Sequence, residues 1–291
     1  MKVKKAVIAA AGLGTRMLPA AKSVPKEMLP ILDKPAIHYI IEEAVASGIE
    51  DILIITNRSK SAIEDYLDYS PELENSLSKS NRVSDYDMVR KIAEMANIYY
   101  IRQKETKGFG HAVLRAKSFA GGEPFVVLTG DDIMIAEKPV TRQLIEAAEK
   151  YEASAIGIQK VPLDQISKYS STKISELEDR IYKVLDMNEK PSPEEAFSEY
   201  AILGRYVLSS KVFDILENLP PGYAGEIQLT DALRELCKMQ GQDMVAVDFE
   251  GRRYDTGNVT GFLEATIDFG LADPRVAPWL KEFLAAKVKE F

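Results

Sequence analysis

Residues 6–16 read Ala6-Val7-Ile8-Ala9-Ala10-Ala11-Gly12-Leu13-Gly14-Thr15-Arg16, an apolar run that breaks into a glycine-containing loop carrying a fixed positive charge. The continuous apolar stretch over 3–10 is what a parallel strand covered on both faces requires. A loop directly after such a strand lies at the carboxyl end of an open α/β sheet, where ligands bind. Small residues let backbone come close to a ligand, and consecutive N–H groups form an anion-binding nest. A plain glycine turn fits the same residues. A dinucleotide fingerprint would need a third glycine where Met17 stands, and no Gly-Lys-Ser/Thr closes a phosphate loop anywhere in the chain. The basic run Met1-Lys2-Val3-Lys4-Lys5 ahead of Ala6–Ala11 has the outline of a signal peptide. The apolar run is at the lower limit for one and Gly12 follows at once, so the reading is a buried first strand.

Working outward, the first half alternates strand and helix. A helix starts at Pro35 and closes at Gly48, and a strand covers 51–56. Helical stretches follow at 61–69, 71–77 and 85–95, with Ser70 and Ser84 as N-caps. A strand at 98–102, a helix at 110–119 and a strand at 125–129 lead into Gly130-Asp131-Asp132. This alternation predicts an α/β fold, a doubly wound, Rossmann-like, mainly parallel but mixed sheet. The second half is more varied: strands at 154–159, 200–208 and 244–249, a hairpin within 172–186 turning at Glu178-Asp179, and helices at 226–239 and 259–270. The tail, 275–291, is amphipathic with Trp279, Leu280, Phe283, Leu284 and Val288 on one stripe, expected to dock on the body of the protein, with a dimer contact as the lesser reading.

Composition narrows the function. Lys and Arg number 37 against 45 Asp and Glu, a net charge of −8, so no global positive field draws the chain to nucleic acid or an anionic membrane. An anionic ligand must therefore be held by a local basic cluster. One cysteine and two histidines exclude an intrachain disulfide framework and a Cys/His zinc site, and point to a reduced, cytoplasmic setting. No run approaches the ~20 apolar residues of a membrane span.

Arg16 leads into Lys22-Ser23-Val24-Pro25-Lys26-Glu27-Met28-Leu29-Pro30, too broken by proline for a helix and too charged for a plain connector. Gly-x-Gly-Thr-Arg followed by Pro-Lys-x-x-Leu-Pro resembles the two-part signature of the sugar-1-phosphate nucleotidyltransferases. Further blocks follow in the same order: Gly108-Phe109-Gly110-His111-Ala112-Val113, Glu189-Lys190-Pro191, Gly204-Arg205-Tyr206-Val207-Leu208, Gly225-Glu226-Ile227-Gln228-Leu229-Thr230-Asp231-Ala232 and Asp255-Thr256-Gly257-Asn258. Together they resemble the bacterial-type UTP–glucose-1-phosphate uridylyltransferases over almost the whole chain.

That resemblance implies one domain over 1–291, with a nucleotide half to about 135 and a sugar-phosphate half after it. It implies UTP and a hexose 1-phosphate as partners, Mg²⁺ as cofactor, UDP-glucose and pyrophosphate as products, a homodimer or homotetramer, and neither nucleic acid nor membrane as partner. Carried over residue by residue, Arg16 and Lys26 resemble the pyrophosphate and α-phosphate clamps, and Lys190 the lysine on the sugar phosphate. Asp131 resembles the metal aspartate, with Asp255 as second ligand. Ala10, Ala11, Gly12, Gly14, Gln103 and Gly108 fall to the nucleotide, and Glu189, Ser170 and Glu199 to the sugar. Two positions depart from the family: Ser170-Ser171 stand where a glycine usually follows the tyrosine, and Glu199 stands where an asparagine is usual.

Charge explains why these residue types suit the reaction. Joining a sugar phosphate to the α-phosphorus of a nucleotide brings two polyanions together. The attacking phosphate oxygen is already ionised near pH 7, so the protein must supply alignment and positive charge, not a base. Other readings of single motifs stay open at this stage. Asp131-Asp132 also fits a turn or helix-capping pair. Asp255-Thr256-Gly257 matches an aspartic-protease triplet, although that chemistry needs two such carboxylates and only one is present. His38, His111 and Cys237 read as structural. At the level of function, the alternatives are the same chemistry with dTTP or another hexose 1-phosphate, or a nucleotide-sugar sensor without turnover.

Overall fold

A computed structural model describes residues 2–241 and 243–290. Met1, which opens the basic run, and Phe291, which ends the expected tail helix, lie outside the described residues.

In chain order the elements of the first half are β1 (Lys5–Ala9), β2 (Pro30–Ile31), β3 (Lys34–Pro35), α1 (Ala36–Ala46), β4 (Asp51–Thr56), α2 (Ser61–Leu67), α3 (Pro71–Lys79), α4 (Val83–Ala93), β5 (Asn97–Arg102), α5 (Phe109–Leu114), α6 (Lys117–Ala120), β6 (Phe125–Thr129) and β7 (Asp132–Ile135). The second half contributes α7 (Val140–Tyr151), β8 (Ser154–Lys160), β9 (Ser170–Glu178), β10 (Ile181–Glu189), β11 (Tyr200–Leu208), α8 (Val212–Leu216), α9 (Leu229–Lys238), β12 (Met244–Asp248), β13 (Arg252–Asp255), α10 (Val259–Ala272) and α11 (Ala277–Val288).

Nine strands form one sheet in the order β5-β4-β1-β6-β11-β8-β12-β10-β9. The strands β5, β4, β1 and β6 run parallel, and β11 enters antiparallel beside β6. The sheet is thus mixed and helix-covered on both faces, the expected class. Period-two alternation sorts β1: Ala6 and Ile8 join the core beneath α1, α2 and α7, while Val7 joins the core beneath α5, α8 and α9.

The two halves are tied beneath the carboxyl ends of the strands by a buried ion pair. Arg205 of β11, fully buried, donates from Nη2 to Glu43 of α1 at 2.6 Å and to the carbonyl of Asp132 at 2.8 Å. Glu43 also accepts from the N–H and hydroxyl of Thr141 at the start of α7. One arginine thereby joins both halves and holds the Asp132 backbone.

Several expectations need correction. Residues 110–119 form two short helices instead of one, with Gly121 in the left-handed region (φ 62°) closing the second. Ser70 caps α3 by position but not through its hydroxyl, since Glu74 reaches back to the Ser70 N–H instead (3.1 Å). Ser84 lies inside α4, whose N-cap is Arg82. Helix α7, with Val140, Leu144, Ile145 and Ala148 buried against the sheet, is an element the sequence reading left unassigned. The C-terminal stripe does not dock as a face. Trp279 is 64% exposed and stacks on Phe283, itself 43% exposed, while α11 is anchored on α10 through buried Ala277 and by Leu280 over Gly270.

Leaving Glu43 buried without its cation is the most damaging single change to this frame. Arg205→Met should lower stability by about 3–5 kcal/mol, and pairing it with Glu43→Leu should restore most of the loss. Urea-unfolding midpoints of the two variants measure this, and equal losses in both would contradict it.

Candidate active site

The site is built where β1 and β6 end. Beyond β1, Gly14 adopts φ 70°, a left-handed conformation that turns the chain into the short helical turn Thr15–Met17 and projects Arg16. A Cβ on Gly14 would lie 3.0 Å from Ala21 Cβ and 3.6 Å from the Lys26 stem, so this glycine lets the two parts of the loop motif pack together. Gly12 is exposed, and only Lys26 Nζ comes within 4 Å of where its Cβ would be, so its backbone faces open space beside a cation.

Beyond β6 come Asp131 and Asp132. Asp132 does not cap a helix; it opens β7, whose antiparallel pairing with β13 sets Asp255 directly opposite. Three carboxylates and three cations meet here. Lys26 pairs with Asp131, Arg16 spans Asp131 (3.5 Å) and Asp255 (3.2 Å), and Arg253 pairs with Asp132 at 2.7 Å. Thr129 adds a hydroxyl hydrogen bond to Asp132 at 2.7 Å.

Burial pushes the Asp131 carboxyl up, but Lys26, Arg16 and Arg253 outweigh it and hold the group below the usual carboxylate range. Burial also raises Asp132, with the Asp131 and Asp255 charges adding and Arg253 opposing. Burial lowers Lys26, yet Asp131 and Glu27 more than compensate, leaving it raised and firmly cationic. Beneath this knot, Glu27 and Lys60 form a second, buried ion pair at 2.6 Å that fixes the Lys26–Met28 turn to the segment after β4.

Sequence reasoning missed Gly257, although it quoted the Asp-Thr-Gly in which it stands. A Cβ there would collide with Asp131 Oδ2 and lie 2.8 Å from the Arg16 guanidinium. Arg253 was missed as well; its signal was the basic pair Arg252-Arg253 just before Asp255 on a short strand.

Two clefts flank Asp131. One, of roughly 370 Å³, is lined by Ala11, Gly12, Lys26, Gln103, Gly108 and Phe109. The other, of roughly 720 Å³, is lined by Arg16, Lys168, Tyr169, Arg253, Asp255 and Asn258. In the first, buried Gln103 donates from Nε2 to the Gly108 carbonyl (3.1 Å) and to His111 Nδ1 (3.0 Å), which leaves its carbonyl oxygen as the free group. His111, read as structural, therefore orients Gln103. Gly108, at φ 103°, brings its backbone against Glu226 and Ile227, where a Cβ would not fit.

The sugar-side candidates line neither cleft. Glu189 ends β10 opposite Ser170 in the antiparallel register and accepts from Ser170 and Thr230. Ser170 is in ordinary strand conformation, so no glycine is required there by the backbone. Lys190 holds a left-handed φ of 45°, donates its N–H to the Tyr169 carbonyl, and carries its ammonium 5.3 Å from the centre of the Tyr223 ring. Glu199 is exposed ahead of β11 and is not drawn into this group. Cys237 packs half-buried with its Sγ 3.8 Å from Met244 Sδ, and burial pushes its thiol up to about 11.

A phosphate-sized, cation-lined loop beside paired aspartates at the carboxyl edge of an α/β sheet is the arrangement of enzymes that transfer nucleotidyl groups. The chain belongs to the nucleotidyl transferase family, whose model matches residues 5–270. It is 51% identical over 288 residues, 99% of this chain and 96% of the relative, to the UTP–glucose-1-phosphate uridylyltransferase YngB of Bacillus subtilis (strain 168). Among solved structures it is similar to a UDP-glucose pyrophosphorylase complexed with UDP-glucose (41% identity, TM-score 0.84, 94% of this chain and 100% of that one). A UTP-bound UGPase from Acinetobacter baumannii gives a TM-score of 0.88 at 35% identity over 98% of this chain and 99% of that one.

Because Gly257 leaves the space in which Asp131 and Arg16 meet, Gly257→Ala should cut the nucleotidyl transfer rate by about 10–100-fold, the effect of an ångström-scale displacement. Its melting temperature should stay within a few degrees of wild type. An undiminished rate would remove the close approach from the account.

Proposed function

We propose that this chain is a UTP–glucose-1-phosphate uridylyltransferase. The observation that carries the proposal is the meeting of Arg16, Lys26, Asp131 and Asp255 where two clefts adjoin at Asp131, one lined by Lys26 and Gln103 and the other by Arg16 and Asp255. The uracil imide N–H would donate to the free Gln103 carbonyl, with Ala10, Ala11, Gly12, Gly14 and Gly108 supplying backbone against the nucleotide. An oxygen of the sugar phosphate attacks the α-phosphorus, a new O–P bond forms, and the bond to the β-phosphate oxygen breaks to release pyrophosphate. Lys26 and Arg16 neutralise the α-phosphate and the leaving group, and Lys190 holds the incoming sugar phosphate.

Asp131 and Asp255 share one guanidinium, so their carboxylates lie close enough to face a common hard cation that completes its shell with phosphate oxygens and water. They would hold Mg²⁺, which would supply further charge neutralisation at the phosphates. Residues to about 135 would serve the nucleotide and the remainder the sugar phosphate. The reading extends to a cytoplasmic homodimer or homotetramer; no described helix is long and apolar enough to cross a membrane.

Pyrophosphate release from purified protein, Mg²⁺, UTP and glucose 1-phosphate tests the assignment, with dTTP and other hexose 1-phosphates as competitors. A preference for another pair would reassign the substrates, and binding of UDP-sugar without pyrophosphate release would make the chain a sensor. Lys190→Ala and Asp131→Ala should each lower kcat by about 10²–10³-fold with the fold intact, since both act on charge developing in the transition state.

A pH dependence follows from His111. Burial first, then Lys107 and Arg115, hold its pKa below the ordinary 6.5, so Nδ1 accepts from Gln103 throughout the neutral range. Protonation removes that acceptor. The KM for UTP should be flat at neutral pH and rise as pH falls through the lowered pKa, and His111→Asn should abolish the rise.

A further inference from the structure

We infer that the hydroxyls of Ser170 and Thr230 are positioning groups that lock the Glu189 carboxylate and thereby set which hexose 1-phosphate the site accepts. The inference rests on the proposed function together with the family resemblance, which gives Glu189 to the sugar.

Three oxygens form a tight triangle. Ser170 Oγ lies 2.5 Å from Glu189 Oε2, Thr230 Oγ1 lies 2.7 Å from the same oxygen, and the two hydroxyls are 2.7 Å apart. Two protons serve these three contacts, so either both hydroxyls donate to Oε2 or one relays through the other. In either case Oε2 accepts from at least one buried hydroxyl and Oε1 is left as the acceptor, with no hydrogen-bond partner among the described residues.

The elements make this arrangement rigid. Ser170 and Glu189 are directly opposed across the β9–β10 ladder, and Thr230 is fixed in the first turn of α9. Both hydroxyl residues are buried, at 8% and 7% exposure, so water does not substitute for them freely. A carboxylate on a long side chain, held at one oxygen by two buried donors, presents the other in a single direction. That favours a sugar hydroxyl at one place and disfavours its epimer, because a buried acceptor left unpaired is costly.

The same contact explains what a serine does where a glycine is usual. Its backbone is unstrained, and its side chain points at Glu189. A glycine would leave Thr230 as the lone donor and Glu189 free to reorient toward other hydroxyl patterns.

The test compares kcat/KM for glucose 1-phosphate and galactose 1-phosphate in wild type, Ser170→Ala, Thr230→Val, Ser170→Thr and Glu189→Gln, and in Ser170→Ala combined with Glu189→Gln. The two hydroxyl deletions should each lower the ratio of the two values about tenfold, mainly through KM for the sugar phosphate, with KM for UTP unmoved. Ser170→Thr, which keeps the hydroxyl, should restore the ratio. Ser170→Ala should add nothing once Glu189 is replaced, a coupling that simple loss of packing would not show. An unchanged ratio, or additive effects in the double variant, would overturn this inference while leaving the uridylyl transfer in place. If wild type releases pyrophosphate with no hexose 1-phosphate, the function itself fails, before any variant is compared.

Discussion

Two adjacent carboxylates at the end of β6 are the constraint around which the site is organised. Asp131 and Asp132 are withdrawn from water, where like charges about 4 Å apart repel by about 4 kcal/mol at an effective dielectric of 20. Each therefore needs a cation of its own. Asp131 takes Lys26 and Arg16 from the loop after β1, and Asp132 takes Arg253 from β13. That need fixes the topology locally: β7 and β13 pair so that Asp255 stands across from Asp132, and Gly257 supplies the space in which the two sets of charges meet. Arg205, bonded to the Asp132 carbonyl and to Glu43, then fastens the aspartate turn to the frame from below.

The elements of the first half of the chain were legible because they obey local rules. Strand 51–56 was read correctly to the residue, since four consecutive apolar positions, 52–55, stand between polar Asp51 and Thr56. The loop stood out as glycines and fixed charge ahead of a proline-broken connector, while the roles expected of Gly14, Arg16 and Lys26 came from the family resemblance. What was missed is non-local. Arg253 and Gly257 matter only because β13 returns to β7 across more than a hundred residues, and no local periodicity announces that pairing. The C-terminal stripe misled because a helical pattern says which residues share a face, not whether anything lies against it. Here α11 is anchored mainly on α10, and Trp279 stays in solvent.

The two parts of the proposed site are also built differently. Where the nucleotide is proposed to bind, the contacts available are backbone of the glycine-rich loop and one amide whose donors are already committed to Gly108 and His111. Backbone and a pre-oriented carbonyl discriminate by shape and by a single acceptor. Where the sugar is proposed to bind, the polar groups are side chains in a mutual network, Ser170 with Thr230 and Glu189, and a backbone held at a left-handed φ at Lys190. A network of that kind changes with one substitution, and of the two departures from the family Ser170 belongs to it while exposed Glu199 does not.

The two loop cations differ in how firmly they are held, and the difference suits the proposed reaction. Lys26 is 14% exposed, paired directly with Asp131, and kept charged by Asp131 and Glu27, so it is a fixed part of the site. Arg16 is 58% exposed and reaches its two carboxylates only at 3.2 and 3.5 Å, a geometry that contributes little in water. It is therefore free to exchange carboxylate for phosphate at small cost when a polyanion arrives. Six charges that cancel at rest let an acidic chain keep this knot folded, and the loosest of the cations is the one placed to follow the phosphate that leaves.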